Sequence, residues 1–207
     1  MISPYQQATF AFSVNTSTQL PNEAEIEVAF VGRSNAGKSS ALNALTNQKA
    51  LARVSKTPGR TQLINYFNLP KPNHYLVDLP GYGYASVPTR IRAHWQDLLG
   101  NYLLTRQPLQ GVVLIMDIRH PLKTLDMQML DCCHARVLPV HILLTKADKF
   151  KRGAQAKQLL SVEKALTDFP APVSVQTFSS LKKQGLDLLT ARLNQWFDVN
   201  NNTKTPD

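Results

Sequence analysis

Several stretches of this chain are apolar without the every-other-residue polarity of a strand that faces water. They include IEVAFV at Ile26–Val31, GVVLIM ahead of Asp117 and VLPVHILL ahead of Thr145. A strand wetted on one face alternates, whereas a strand covered on both faces reads as a continuous apolar run. Strands are therefore predicted at Ile26–Val31, Leu63–Leu69, His74–Asp78, Val112–Asp117, Val137–Thr145 and Val173–Phe178. Segments of helical periodicity lie at Lys38–Thr46, Arg90–Leu104, Thr124–Ala135, Ala154–Asp168 and Leu186–Val199. Strands alternating with helices give βαβ units, a mainly parallel sheet and an α/β fold. Such a sheet binds its ligand in the loops beyond the carboxyl ends of its strands, so those loops are where chemistry is to be sought.

With 207 residues and 43% hydrophobic content, the chain is long enough for one domain with a substantial core. Residues 25–199 are expected to form it. The polar, turn-rich residues 1–24 read as an extension on or beside it, and 200–207 as a frayed tail. No apolar run is long enough to cross a bilayer, and the first residues lack the basic and apolar regions of a secretory signal. Cys132 and Cys133 are adjacent and poorly placed to bridge each other. A cytoplasmic, disulfide-free, monomeric protein with no membrane partner is expected. Net charge is +9, from 23 basic and 14 acidic residues, which favours an acidic partner such as nucleic acid.

Four loops after the apolar runs carry chemistry. The first is Gly32-Arg33-Ser34-Asn35-Ala36-Gly37-Lys38-Ser39-Ser40, with the spacing of a phosphate-cradling loop. Its backbone N–H groups can wrap a phosphate, and the following helix adds its positive end. Lys38 would reach the β- and γ-phosphates, and Ser39 would place its hydroxyl on Mg²⁺. The second is Asp78-Leu79-Pro80-Gly81, where the carboxylate suits an outer-shell Mg²⁺ contact and the Gly81 N–H a γ-phosphate. Alone this is also ordinary turn chemistry. Between these two lies the basic loop ALARVSKTPGRT, whose Thr61 would complete the Mg²⁺ shell.

The third loop is Thr145-Lys146-Ala147-Asp148. Guanine presents two adjacent donors, N1–H and the 2-amino group, that one carboxylate can accept together. Adenine has an unprotonated N1 and no amino group there, so Asp148 selects guanine, while the stem of Lys146 covers the base. The fourth loop is Phe178-Ser179-Ser180, from which a backbone N–H would donate to guanine O6. Four such loops in workable order favour a guanine nucleotide site over four unrelated turns.

Together with the matches ATF and QLP near the N-terminus, KTPGRTQLINYF, DIRHPLK and SSLKKQG, these residues resemble the EngB family of bacterial ribosome-biogenesis GTP-binding proteins. That family stands within the TrmE–Era–EngA–EngB–septin-like class. The resemblance covers nearly the whole chain, and VDLPGYGYA is its most family-specific stretch. It implies a Ras-like P-loop G domain with a six-stranded mixed, mostly parallel sheet, one strand antiparallel, flanked by helices. It also implies Mg²⁺-dependent GTP/GDP binding, a role in large-ribosomal-subunit assembly and a link to normal cell division.

Carried over by position, Gly32–Ser40 hold the phosphates, and Ser39 with Thr61 holds Mg²⁺. Gly59, Arg60, Thr61, Gln62 and Leu63 form switch I, and Asp78–Gly81 begin switch II. Thr145–Asp148 and Phe178–Ser180 hold the base, and Lys38, Thr61 and Gly81 act on the terminal phosphate. Two departures stand out. Thr145 replaces the usual asparagine, so an amide tether between loops is expected to be lost. Tyr82 replaces a water-orienting glutamine, so unaided hydrolysis is expected to be slow. Asn35 has two readings that differ in whether hydrolysis depends on K⁺: it helps hold K⁺ beside the phosphates, or it caps its own loop.

A basic switch I (Lys49, Arg53, Lys56, Arg60) with exposed Tyr82 and Tyr84 would contact the rRNA or proteins of the large subunit or its precursor when GTP is bound. Lys182 and Lys183 would extend that surface. The competing readings are a basic RNA-binding module whose nucleotide site is only structural, and a P-loop kinase or ATPase. Asp148 and the lack of a recognisable lid stand against the kinase.

Overall fold

The structure, a computed structural model, describes residues 3–52, 63–83 and 98–197. Its centre is a sheet of seven strands: β1 (Thr9–Val14), β2 (Ile26–Gly32), β3 (Ile64–Asn68), β4 (His74–Asp78), β5 (Leu109–Asp117), β6 (Val140–Thr145) and β7 (Val173–Thr177). Their order across the sheet is β1-β3-β4-β2-β5-β6-β7. β3 runs antiparallel to both its neighbours, and the pairings β4–β2–β5–β6–β7 are all parallel. The helices are α1 (Lys38–Thr46), α2 (98–105), α3 (Thr124–His134), α4 (Arg152–Ala165) and α5 (Leu186–Phe197).

The missing alternation has a direct cause in the packing. Along β5, Val112, Leu114 and Met116 join one buried cluster with Leu99 and Leu103 of α2 and Leu130 of α3. Val113 and Ile115 join the opposite cluster with Leu42 of α1 and Leu189 and Trp196 of α5. β2 divides in the same way, Ala29 and Val31 facing one cluster and Val28 and Phe30 the other. Trp196 lies so close on β5 that a Cβ on Gly111 would sit 2.6 Å from its ring.

The expectation of six strands needs correction. The seventh is β1, drawn from the segment read as an extension and paired antiparallel with β3. Its register shifts between Phe10 and Phe12, and only Val14 is fully buried, so the hydrophobic signal is weak. Phe12 is fixed by stacking on Tyr66, ring centroids 4.9 Å apart. β6 begins at Val140 rather than Val137, because Val137 sits at φ 54° in the turn before it. α4 starts two residues before Ala154 and ends at Ala165, ahead of the expected Asp168. Residues 90–97 and 198–199 of two expected helices lie outside the described residues.

Two buried polar clusters brace the sheet. Glu27, fully buried at the start of β2, accepts from Arg106 Nε at 3.0 Å and from the Tyr102 hydroxyl at 2.6 Å. Arg106 also donates to the Pro21 carbonyl, so the same group anchors the chain that leads into β2. The carboxylate would be costly to bury without these donors.

The second cluster joins β6 to β7. His141 Nε2 lies 2.8 Å from Gln176 Oε1, and Nδ1 lies 2.8 Å from Ser174 Oγ. Gln176 Nε2 donates to the Gly185 carbonyl, which fixes its oxygen toward the ring. Nε2 therefore carries the proton and the ring is neutral. Burial pushes the His141 pKa down to about 4 from an ordinary 6.5.

An unfolded histidine would take up a proton in that interval while the folded one would not. His141 therefore stabilises fully above pH 6.5, and its contribution falls away as pH drops toward 4, by up to about 3 kcal/mol. Denaturant unfolding between pH 4 and 7 should show this slope, flattened in His141→Gln. An equal slope in the variant would assign the effect to other groups.

Candidate functional site

The loop Arg33–Gly37 follows β2 and turns into α1. Its direction is set by close approach and by left-handed backbone. A Cβ on Gly32 would lie 2.6 Å from the Ile115 carbonyl oxygen, so β2 and β5 can meet there only over glycine. Asn35 has φ 62°, and Gly37 has φ 106° with Thr145 against it.

The hydrogen bonding of this loop is lopsided. All its carbonyls but that of Ser34 are taken, among them Gly32 O by the Tyr82 N–H (3.2 Å), Arg33 O by Ala36 N–H (3.0 Å) and Gly37 O by Ala41 N–H (2.9 Å). Lys146 Nζ donates to Asn35 O at 2.7 Å, and the Thr145 hydroxyl donates to Ala36 O. By contrast, the N–H groups of Asn35, Gly37, Lys38, Ser39 and Ser40 donate to no described residue. Unpaired amides in succession at a helix start form a concavity for an anion.

Lys38 and Asp78 form an ion pair across the site, both side chains largely buried. Leu79 belongs to the buried apolar core, and Pro80 is buried as well. The Gly81 N–H, like those of the first loop, has no acceptor among the described residues. Asn35 is exposed, and its side chain caps nothing among the described residues. Leu63, at the edge of the described residues before β3, is exposed. Gly59, Arg60, Thr61 and Gln62 lie outside the described residues, as do Arg53, Lys56 and Tyr84.

On the other side, Thr145 ends β6 and Lys146 turns in a left-handed conformation, φ 58°. The expected loss of a tether at Thr145 does not occur. Its hydroxyl proton lies between the Ala36 and Met116 carbonyls, the latter at 3.0 Å, and so still ties this loop to the first. Lys146 bridges the Asn35 carbonyl and Asp117, whose Oδ2 lies 2.9 Å from Nζ. Burial would raise the Asp117 carboxyl, but bonds from Arg119 and Lys146 hold it well below the usual carboxylate range. Asp117 was missed from the sequence, although it closes an apolar strand just as Asp78 does.

Asp148 is positioned by Ser179, whose hydroxyl donates to Oδ1 at 2.6 Å. Ala147 N–H donates to the Phe178 carbonyl at 3.1 Å, locking the two loops together. Phe178 N–H donates to Leu144 O and Ser179 N–H to Gln184 O. An N–H for a base carbonyl therefore falls to Ser180, since the other two are engaged. Phe178 itself is core.

Tyr82 also departs from expectation. It is not an exposed platform: its ring packs against the core and its hydroxyl donates to Asp126 Oδ1 at 2.7 Å. Asp126 is fully buried in the first turn of α3, and its other oxygen accepts the Lys123 N–H at 2.9 Å. Burial pushes the Asp126 carboxyl up, and those two bonds oppose the shift. Burial likewise pushes the Tyr82 phenol far up, so it stays a donor.

A sequence profile of the family described as "50S ribosome-binding GTPase" matches residues 27–146. A Pasteurella multocida protein named "Probable GTP-binding protein EngB" is 56% identical, covering 93% of this chain and 94% of its own. An Escherichia coli O157:H7 protein of the same name is 57% identical over 94% of this chain and 92% of its own. Among solved structures, one titled as a probable GTP-binding protein engB superposes with TM-score 0.65 at 21% identity, over 82% of this chain and 97% of that one. Era from Aquifex aeolicus bound to GDP·AlF₄⁻ gives TM-score 0.65 at 20% identity, over 82% and 56% of the two chains. These two structures show the shared fold.

Tyr82→Phe should destabilise the fold by about 1–3 kcal/mol, because the Asp126 carboxylate then stays buried with one donor fewer. Asp126→Asn should cost a similar amount, and the double variant less than the sum, measured by chemical denaturation. Additive effects would mean that the bond contributes nothing.

Proposed function

The chain belongs to the EngB family of GTPases, and from that premise we infer that it is a GTP-controlled switch acting in assembly of the large ribosomal subunit. The observation that carries the nucleotide reading is the set of five N–H groups, at Asn35 and Gly37–Ser40, that have no acceptor among the described residues, in a loop bonded to those after β4 and β6. Phosphates would take those amides. The Asp148 carboxylate, oriented by Ser179, would accept both donors of guanine. Lys38 would exchange its Asp78 partner for phosphate oxygens as the nucleotide enters.

The donor set suits magnesium: the Ser39 hydroxyl and Asp78 carboxylate are hard oxygens. No cluster of three or more His, Cys, Asp or Glu side chains exists among the described residues to cage an ion alone. Held by these residues, Mg²⁺ would supply positive charge to the phosphates. Hydrolysis is slow in this reading because Tyr82, tied to Asp126, has no amide with which to orient water.

The ribosomal reading is supported by the description of the matching family and by the basic excess of +9. Around the base side, Lys149, Lys151, Arg152, Lys182 and Lys183 are exposed and available to a polyanion. No helix among the described residues is long and apolar enough to cross a membrane.

Asp148→Asn should lower GTP affinity by about 2–4 kcal/mol and admit xanthine nucleotides, whose C2 oxygen can accept from the new amide. Titration of both nucleotides checks it, and normal GTP binding by the variant would refute the base assignment. Cosedimentation with the large subunit or its precursor should be tighter with a non-hydrolysable GTP analogue than with GDP, and should weaken steeply with salt. Equal binding in both nucleotide states would favour an RNA-binding module whose nucleotide is only structural.

A further inference from the structure

Ser34 Oγ is buried and has no hydrogen-bond partner among the described residues. Ser3, His74 and His134 carry the other buried unpartnered side-chain atoms among the described residues, and none of those three lies in the loops that close the site. Native structures rarely leave a buried hydroxyl unpaired, so an orphan at a binding loop calls for a function.

Its surroundings narrow that function. A Cβ built on Gly81 would meet Ser34 Oγ at 3.2 Å and Ser34 Cα at 3.6 Å, so the hydroxyl lies directly against Gly81. The two loops are joined on either side of it: Ser34 N–H donates to Tyr82 O at 2.9 Å, and Tyr82 N–H donates to Gly32 O at 3.2 Å. The hydroxyl therefore lies where the first loop meets Gly81, a residue whose N–H has no acceptor among the described residues. The position after Gly81 gives no help, because the Tyr82 hydroxyl is committed to Asp126. A serine hydroxyl rotates freely and keeps one proton to donate.

We propose that Ser34 Oγ–H is a ligand of the terminal phosphate, donating to a γ-phosphate oxygen beside the Gly81 N–H and so distinguishing GTP from GDP. With GDP the hydroxyl keeps no partner, and with GTP it gains a charged one. Donors aimed at a phosphate oxygen also stabilise the charge that develops there during cleavage. The inference rests on the reading of Gly32–Ser40 as the phosphate site.

Ser34→Ala removes the hydroxyl and keeps the Cβ against Gly81, whereas Ser34→Gly removes both. Each variant is titrated with GDP and with a non-hydrolysable GTP analogue in the presence of Mg²⁺, and single-turnover hydrolysis is followed alongside. Both should lose roughly tenfold or more in affinity for the analogue, as expected for one hydrogen bond to a charged group, with GDP affinity within about twofold of the parent. An unchanged ratio of analogue to GDP affinity in Ser34→Ala would overturn the proposal. So would an effect confined to Ser34→Gly, which would make the side chain a spacer. Failure of the parent protein to bind either nucleotide would overturn the phosphate-site reading itself.

Discussion

A loop that offers its N–H groups to an anion must first turn its carbonyls away from it. In this protein that requirement is met by four donors drawn from three separate parts of the chain. Tyr82 from the loop after β4, Thr145 from the end of β6, Lys146 just beyond it and Ala41 from α1 each donate to a carbonyl between Gly32 and Gly37. The amides of Gly37 and Lys38 share their peptide groups with the bonded carbonyls of Ala36 and Gly37, and like those of Asn35, Ser39 and Ser40 they donate to no described residue. The phosphate-binding geometry is thus a tertiary product. It exists only when β2, β4, β5 and β6 are in register with their carboxyl ends level.

That register is enforced from both ends of the sheet. At the ligand end, Gly32 lets β2 pass against Ile115 of β5 closer than any side chain would allow. At the far end, Glu27 draws Arg106 and Tyr102 onto the start of β2. A fully buried carboxylate surrounded by specific donors tolerates no slip, because a shift of one residue would turn it out of reach of all of them. The apolar clusters on the two faces supply the bulk of the stability, and these polar contacts select one register among those that such clusters would accept.

The central strands and the position of the four candidate loops at their carboxyl ends are legible in the sequence, because burial on both faces removes alternation and each loop follows an apolar run. The seventh strand is not. β1 is an edge strand whose Thr9, Phe10 and Ser13 give no clear period, and its place depends on pairing with β3, more than fifty residues away. Thr145 was read as a lost tether because the comparison was between functional groups. In the folded chain only the position of a donor matters, and a hydroxyl reaches the Ala36 carbonyl as an amide would. Nothing local in the glycine-rich stretch around Tyr82 marks its ring for burial. The buried acceptor that claims it, Asp126, looks in sequence like an ordinary acidic residue in the first turn of a helix.

Tyr82 also links chemistry to motion. Its main chain is bonded to Gly32 and Ser34, and its side chain to Asp126 of α3. A displacement of the Asp78–Gly81 loop that carried Tyr82 with it would break the main-chain bonds and leave a buried carboxylate short of a donor. The position of this loop is therefore coupled to α3 by a contact that is either made or lost, as a two-state element requires. A cavity of about 390 Å³ lies beside the ring, bounded by Leu99 and Leu103 of α2 and by Leu125, Met129 and Cys132 of α3. The ring is held by its packing against the core and by the hydrogen bond to Asp126.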